Sequence, residues 1–155
     1  MYNSDLSQKE DEWLSLFFKI ETPYSDIIKT QILHAVISRE YTKYYLFLNF
    51  QVPNSIRKLP RFSNRIPIEM LIQHIDNSDD EDGIIYISRG EDDWSMKVIK
   101  SKDNREPTSF LMHVFDGAIQ QIEIYNLDSS EIEINQICLG RVDYRISQDF
   151  LFKSN

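Results

Sequence analysis

Phe110-Leu-Met-His-Val-Phe115-Asp116-Gly117-Ala118-Ile-Gln-Gln-Ile-Glu-Ile-Tyr125 decides the fold class of this chain. Two apolar-rich runs flank one Asp-Gly pair, which supplies the positive φ angles that a two-residue type I′ turn demands. The reading is an antiparallel hairpin, Phe110–Phe115 against Ala118–Tyr125. Phe115 then pairs with Ala118, and His113 falls opposite Gln120, flanked on its own face by Leu111 and Ile122. That face is expected to be covered by a helix, which makes His113 a hydrogen-bonded core residue rather than a catalyst.

Upstream, Ile84–Ser88 and Trp94–Lys100 form a second hairpin of an antiparallel meander, turning through Gly90 and the acidic triplet Glu91-Asp92-Asp93. Downstream, Glu131–Ile134 and Arg141–Ile146 alternate and add two more strands. Tyr41–Val52 is dense in aromatic and aliphatic residues and reads as one strand, with Tyr44, Leu46, Leu48 and Phe50 sharing a face. Between Pro53 and Pro67 the chain is an irregular, proline-punctuated connection, and Ile66–Ile75 is a short helix or an edge strand.

Two helices precede all of this. One starts near Ser7, with Glu10 and Asp11 at its positive end and Trp13, Leu14, Phe17 and Phe18 as its apolar stripe, and ends near Ile20. The other opens at Thr22-Pro23 and carries Ile28, Ile32, Ala35 and Val36 at helical spacing, antiparallel to the first. The fold class is therefore α+β: two N-terminal helices packed on a mostly antiparallel sheet of about five to seven strands, in one domain over residues 1–155.

Composition limits function mainly by exclusion. No window approaches the roughly 18 apolar residues of a membrane helix, and Met1–Glu10 has no signal-type apolar region, so a cytoplasmic protein is expected. The lone Cys138 suits a reducing compartment, and its apolar neighbours make it core filling rather than a nucleophile. With a formal charge of -8, the chain is repelled by phosphate backbones and anionic lipid, so nucleic acid and membrane are not expected partners.

That charge is concentrated. Asp76, Asp79, Asp80, Glu81, Asp82, Glu91, Asp92 and Asp93 stand against Arg89 alone. Like charges crowded into two short segments do not serve fold stability, which points to a partner of opposite sign. An EF-hand reading of the first segment fails: with Gly83 as the sixth position, Ser78 is first and Arg89 occupies the twelfth, where a bidentate glutamate belongs. No metal and no cofactor is expected. The opposing cluster Arg57, Lys58, Arg61 and Arg65 offers a dock for an anion, but without interleaved aromatics or a glycine loop it reads first as a partner for the acidic loops.

Catalytic motifs are thin. His34 reads as a core residue like His113, His74 lies in the uncertain stretch, Glu123 reads as a solvent-facing strand position, and the glycines stand singly. A core explains most of Tyr41, Tyr44, Tyr45 and Phe47. Trp94 abuts the acidic triplet and doubles as an aromatic anchor for a cationic surface. The candidate partner-binding residues are thus Asp79, Asp80, Glu81, Asp82, Glu91, Asp92, Asp93 and Trp94, with no catalytic residue assigned.

Met112-His113-Val114-Phe115-Asp116-Gly117, continuing through Ile122-Glu123-Ile124-Tyr125, resembles the strand, Asp-Gly turn and Glu-containing strand of small uncharacterised bacterial proteins, some of them similar to immunity proteins of polymorphic toxin systems. The resemblance implies a cytoplasmic inhibitor that masks a cationic toxin, often a nuclease, and carries over no functional residues. Two other classes stay open: a small-ligand-binding or regulatory domain with a pocket between helices and sheet, and a hydrolase using His74 with the acidic loop.

Overall fold

Ser7 starts the first element by closing a capping box: its Oγ accepts the Glu10 N–H at 3.1 Å, and Glu10 Oε1 accepts the Ser7 N–H at 2.8 Å. One of the amides that a helix N-terminus leaves orphaned is satisfied, and the entering chain is fixed. The computed structural model describes residues 1–60, 66–72, 85–89, 94–98, 107–133, 142–147 and 150. Its helices are α1 (Gln8–Phe17) and α2 (Ser25–His34). Its strands are β1 (Val36–Tyr41), β2 (Leu46–Gln51), β3 (Ile68–Ile72), β4 (Ile85–Arg89), β5 (Trp94–Val98), β6 (Thr108–Phe115), β7 (Ala118–Asn126) and β8 (Val142–Ile146).

Six strands form one sheet in the order β1-β2-β7-β6-β3-β8, with every pairing antiparallel, and β4 and β5 form a separate two-stranded ribbon. The two helices cover one face of the sheet. That face buries Leu46, Leu48, Phe110, Met112, Ile122, Ile124, Met70 and Tyr144, because strand side chains alternate and these positions share a parity across the ladder. Trp13 of α1 meets Phe110 edge-on, with ring centroids 5.4 Å apart. Tyr144 donates its hydroxyl to Leu16 O at 2.7 Å, and burial pushes that phenol well above its ordinary range.

The α+β class, the two helices and the six-stranded sheet follow the sequence reading. So does the hairpin, in which Asp116 and Gly117 have φ of 50° and 75° and Phe115 pairs with Ala118. Several local expectations are corrected. α1 ends at Phe17 rather than Ile20, with Phe18 as its C-cap. α2 starts at Ser25: Thr22 Oγ1 accepts the Tyr24 N–H and Ser25 Oγ accepts the Thr22 N–H, so the Thr-Pro signal builds a turn before the helix. Ala35 is the C-cap of α2, and Val36 already belongs to β1.

Of the single strand expected over Tyr41–Val52, Tyr41 ends β1 and only Leu46–Gln51 is a strand, β2, the two joined as a hairpin. Tyr44 sits in its turn, 48% exposed, rather than on the core face. β3 is an interior strand between β6 and β8, not an edge. The expected meander is broken, since β4–β5 pair only with each other and β5 lies alongside β8. Glu131–Glu133 is irregular rather than a strand.

A bulge between His113 and Val114 shifts the register, so His113 pairs with Gln121 and not Gln120. His113 is half-buried on the face away from the helices, because the core parity belongs to Met112 and Val114. His34, at the end of α2, is exposed.

One polar clasp joins the first helix to the sheet edge. Glu10, 6% exposed, accepts from Arg39 Nη2 at 2.6 Å and Nε at 2.7 Å, and Arg39 Nη2 also donates to Asp5 O. Burial by itself would raise the Glu10 carboxyl, but the bonds from Arg39 and Ser7 outweigh it and hold the carboxyl below its ordinary value. A carboxyl depressed on folding stabilises the fold above its unfolded value, near about 4.3, and that stabilisation is lost as pH falls through the lower folded value. Glu10→Gln is therefore expected to lose about 1 kcal/mol at pH 7, a figure discounted for the exposed guanidinium, and the deficit should shrink towards zero on acidification. Urea titrations of both proteins from neutral pH to about pH 3 measure it; a deficit independent of pH would refute the assignment.

Candidate functional site

The turn between β1 and β2 sets out the aromatic groups. Thr42 Oγ1 accepts the N–H of Tyr44 at 3.2 Å and of Tyr45 at 3.0 Å, and the Thr42 N–H donates to Tyr45 O at 2.9 Å. Backbone donors of the turn are thus taken by a side chain, and Tyr44 and Tyr45 project outward. Tyr45 lies on the face opposite Leu46. It is parallel to Phe47 at 5.8 Å between centroids and tilted against Tyr125 of β7 at 5.8 Å.

The loop after β7 closes the other wall. Asn126 Nδ2 donates to Ser130 Oγ and Glu131 O, while its Oδ1 accepts from Thr108 Oγ1 at 2.6 Å. The Ile132 N–H donates to Lys43 O at 2.7 Å, and Tyr41 donates its hydroxyl to Ile132 O. The result is a groove of about 340 Å³ lined by Tyr44, Tyr45, Tyr125, Asn126, Leu127 and Ser129. Its tyrosines at 44 and 45 and Leu127 are 40% exposed or more. Exposed Asp128, Glu131 and Glu133 lie on the loop that walls it, against Lys43 on the turn.

A second cleft, of about 310 Å³, sits at the opposite end of the same face, lined by Asn49, His113, Val114, Phe115, Gln120 and Gln121. The bulge puts both glutamines on that face. Gln121 Nε2 donates to Asn49 Oδ1 at 2.9 Å, and His113 Nε2 lies 3.3 Å from Glu123 Oε1. None of these lining residues carries a hydroxyl or thiol, and Asn49, His113, Gln120 and Gln121 offer hydrogen-bonding groups for polar recognition. Among the described residues, no group of three or more His, Cys, Asp or Glu is placed to hold a metal ion.

Asp79, Asp80, Glu81, Asp82, Glu91, Asp92 and Asp93 lie outside the described residues, as do His74, Cys138, Arg61 and Arg65. Trp94 opens β5, with its backbone paired to Arg89. In sequence the first acidic segment precedes Ile85, which pairs with Val98, and the second falls between Arg89 and Trp94, which pair with each other. Lys58, expected to pair with those acids, donates its Nζ to Pro53 O.

The expectation that Tyr41, Tyr44 and Tyr45 fill the core is overturned: they are 56%, 48% and 43% exposed. The signal that could have found the groove is parity, since Tyr45 and Phe47 share the face opposite the buried Leu46 and Leu48. No helix is long and apolar enough to cross a membrane among the described residues. Comparison of the chain with protein-family models, with curated proteins and with solved structures found no match in any of the three. Fold and site together define an α+β domain with one helix-covered sheet face and one aromatic, acid-flanked face.

Proposed function

We propose that this chain is a non-enzymatic acidic binding domain whose partner is a basic protein, in the manner of a cytoplasmic immunity protein or inhibitor that masks a cationic toxin such as a nuclease. The observation that carries the reading is the open tyrosine groove, flanked by Asp128, Glu131 and Glu133 in a chain of formal charge -8. Large aromatic side chains exposed together are costly to keep in water, and protein interfaces are enriched in tyrosine anchors. The acids at 79–82 and 91–93 add focused negative potential, which steers a cationic partner and raises its association rate.

The test is capture from a lysate of the source cells at low and high salt. It compares the wild type with a variant carrying Asp79, Asp80, Asp82, Asp92 and Asp93 as Asn, and with Tyr45→Ser/Tyr125→Ser. One basic protein, held one-to-one by the wild type, is expected to bind each variant about tenfold or more weakly and to release in high salt. Identical sets captured by all three proteins would refute the reading. The groove volume also falls within the range of small-ligand pockets, roughly 300–1,000 Å³, which favours a small-ligand domain as the second reading. A thermal shift with a small molecule that leaves protein capture untouched would establish it.

A further inference from the structure

The two edges of the six-stranded sheet are treated differently. β8 has β5 alongside it, whereas β1 is exposed along nearly its whole length, with Val36 at 63% and Tyr41 at 56%. The β1–β2 ladder is unbroken, and at its closed end the Thr42 N–H donates to Tyr45 O. Hydrogen-bonded pairs alternate along an antiparallel ladder, so Val36, Ser38 and Glu40 bond to β2, while Ile37, Arg39 and Tyr41 turn their N–H and C=O groups outward. Among the described residues these outward groups have no partner.

Such an edge is a template for another strand, and proteins usually blunt it with charge. Here the cation that would do so is withdrawn: Arg39 folds towards the helices onto Glu10 and Asp5 O. The charge left on the other face of β1 is Glu40, steadied by Asn49 Nδ2 at 3.4 Å.

We infer that the β1 edge receives an extended segment of the partner as an added strand, with a lysine or arginine set opposite Glu40. This deepens the basic-partner reading and rests on it. Charge complementarity decides the occupant. In a two-fold pairing of β1 with a second copy, the outward residues must face one another, so the overlapping registers place Val36, Ser38 or another Glu40 opposite Glu40. None is a cation, and each copy brings a formal charge of -8. A basic strand meets both conditions and gains ladder bonds through the N–H and C=O groups of Ile37, Arg39 and Tyr41.

The experiment follows backbone amide shifts and hydrogen exchange of the full chain with three probes: a seven-residue capped peptide alternating threonine and lysine, its threonine–glutamate counterpart, and the lysine peptide N-methylated on its ladder edge. The lysine peptide is expected to shift and protect the amides of Ile37, Arg39 and Tyr41. The glutamate peptide should bind about two- to fivefold more weakly, the worth of one cross-strand charge pair, and the methylated peptide should not protect them. Glu40→Lys should reverse the preference.

Lysine-peptide shifts elsewhere that spare these three amides would overturn strand addition and leave the basic-partner reading standing. Silence at every amide would overturn strand addition, while the basic-partner reading is decided separately by the capture experiment. Protection that grows with protein concentration in the absence of peptide would assign the edge to a second copy and overturn the occupant.

Discussion

Gly117→Ala is expected to destabilise the fold by about 3 kcal/mol or more, lowering the midpoint of thermal unfolding by about 10 °C. Two costs add. At φ 75° an L side chain pays about 1–2 kcal/mol for the left-handed region. A Cβ at this position would also lie 2.5 Å from Leu59 O and 3.1 Å from Leu59 N, both backbone atoms. Neither can swing aside as a side-chain tip would.

Relief therefore requires the 58–59 segment to back away, which breaks the Leu59 N–H bond to Gly117 O, 2.8 Å long. Asp116→Asn is the control: asparagine suits the same turn at φ 50°, so its effect should stay within about 0.5 kcal/mol. Urea unfolding of both variants checks the contrast. Equal, small effects would mean that the turn carries only its own conformation and does not dock the 53–60 loop.

The hairpin and the start of α1 were legible because each is written in adjacent residues. Asp116-Gly117 selects one turn type, and Ser7 with Glu10 closes a capping box within four residues. β1 was not legible. Val36 continues the apolar spacing of α2, and Ser38-Arg39-Glu40 shows no alternation; pairing with β2 makes this segment a strand. In the same way, β3 carries a sequence that suits an edge or an interior equally, since side-chain parity reports the face and not the neighbour.

Tyr44 shares the parity of Leu46, which points it to the core, but the Thr42-centred turn ends the strand pattern before it, and Tyr45 falls on the face opposite Leu46. The Gln120-Gln121 bulge was available as two adjacent polar residues inside an alternating strand, and it brings both glutamines to the face where the parity of β6 already puts His113. Neither the groove nor the β1 edge follows from a motif. The groove arises where β2 and β7, distant in sequence, lie side by side, and the β1 edge arises because no described strand pairs with the outer side of the β1–β2 hairpin.

Gln31 is the second position where one substitution should be felt throughout, and its cost is one of hydrogen bonding rather than shape. The side chain is fully buried, donates Nε2 to Gly117 O at 2.9 Å and to Arg57 O at 3.0 Å, and accepts the Ile119 N–H at 2.9 Å. One amide thus ties α2 to the hairpin turn and to the 53–60 loop. Gln31→Leu keeps the volume and leaves the Ile119 N–H buried with no acceptor, which costs about 1–3 kcal/mol for that group, and about 3 kcal/mol with the lost carbonyl partners.

Gln31→Glu should behave differently. A carboxylate there accepts from Ile119 but faces the Gly117 and Arg57 carbonyls with no proton to give. Its folded form therefore favours protonation, and a carboxyl raised on folding loses stability as pH rises. Gln31→Glu is expected to be less stable than Gln31→Leu at pH 7 and to recover as pH falls towards 4, opposite in sign to the Glu10 clasp of the wild type. Because the segment that Gly117→Ala pushes back carries the Arg57 carbonyl that Gln31 binds, adding Gln31→Leu to it should cost clearly less than Gln31→Leu alone. Strict additivity in that double-mutant cycle would show that the amide and the turn act separately, and would remove Gln31 as the tie between them.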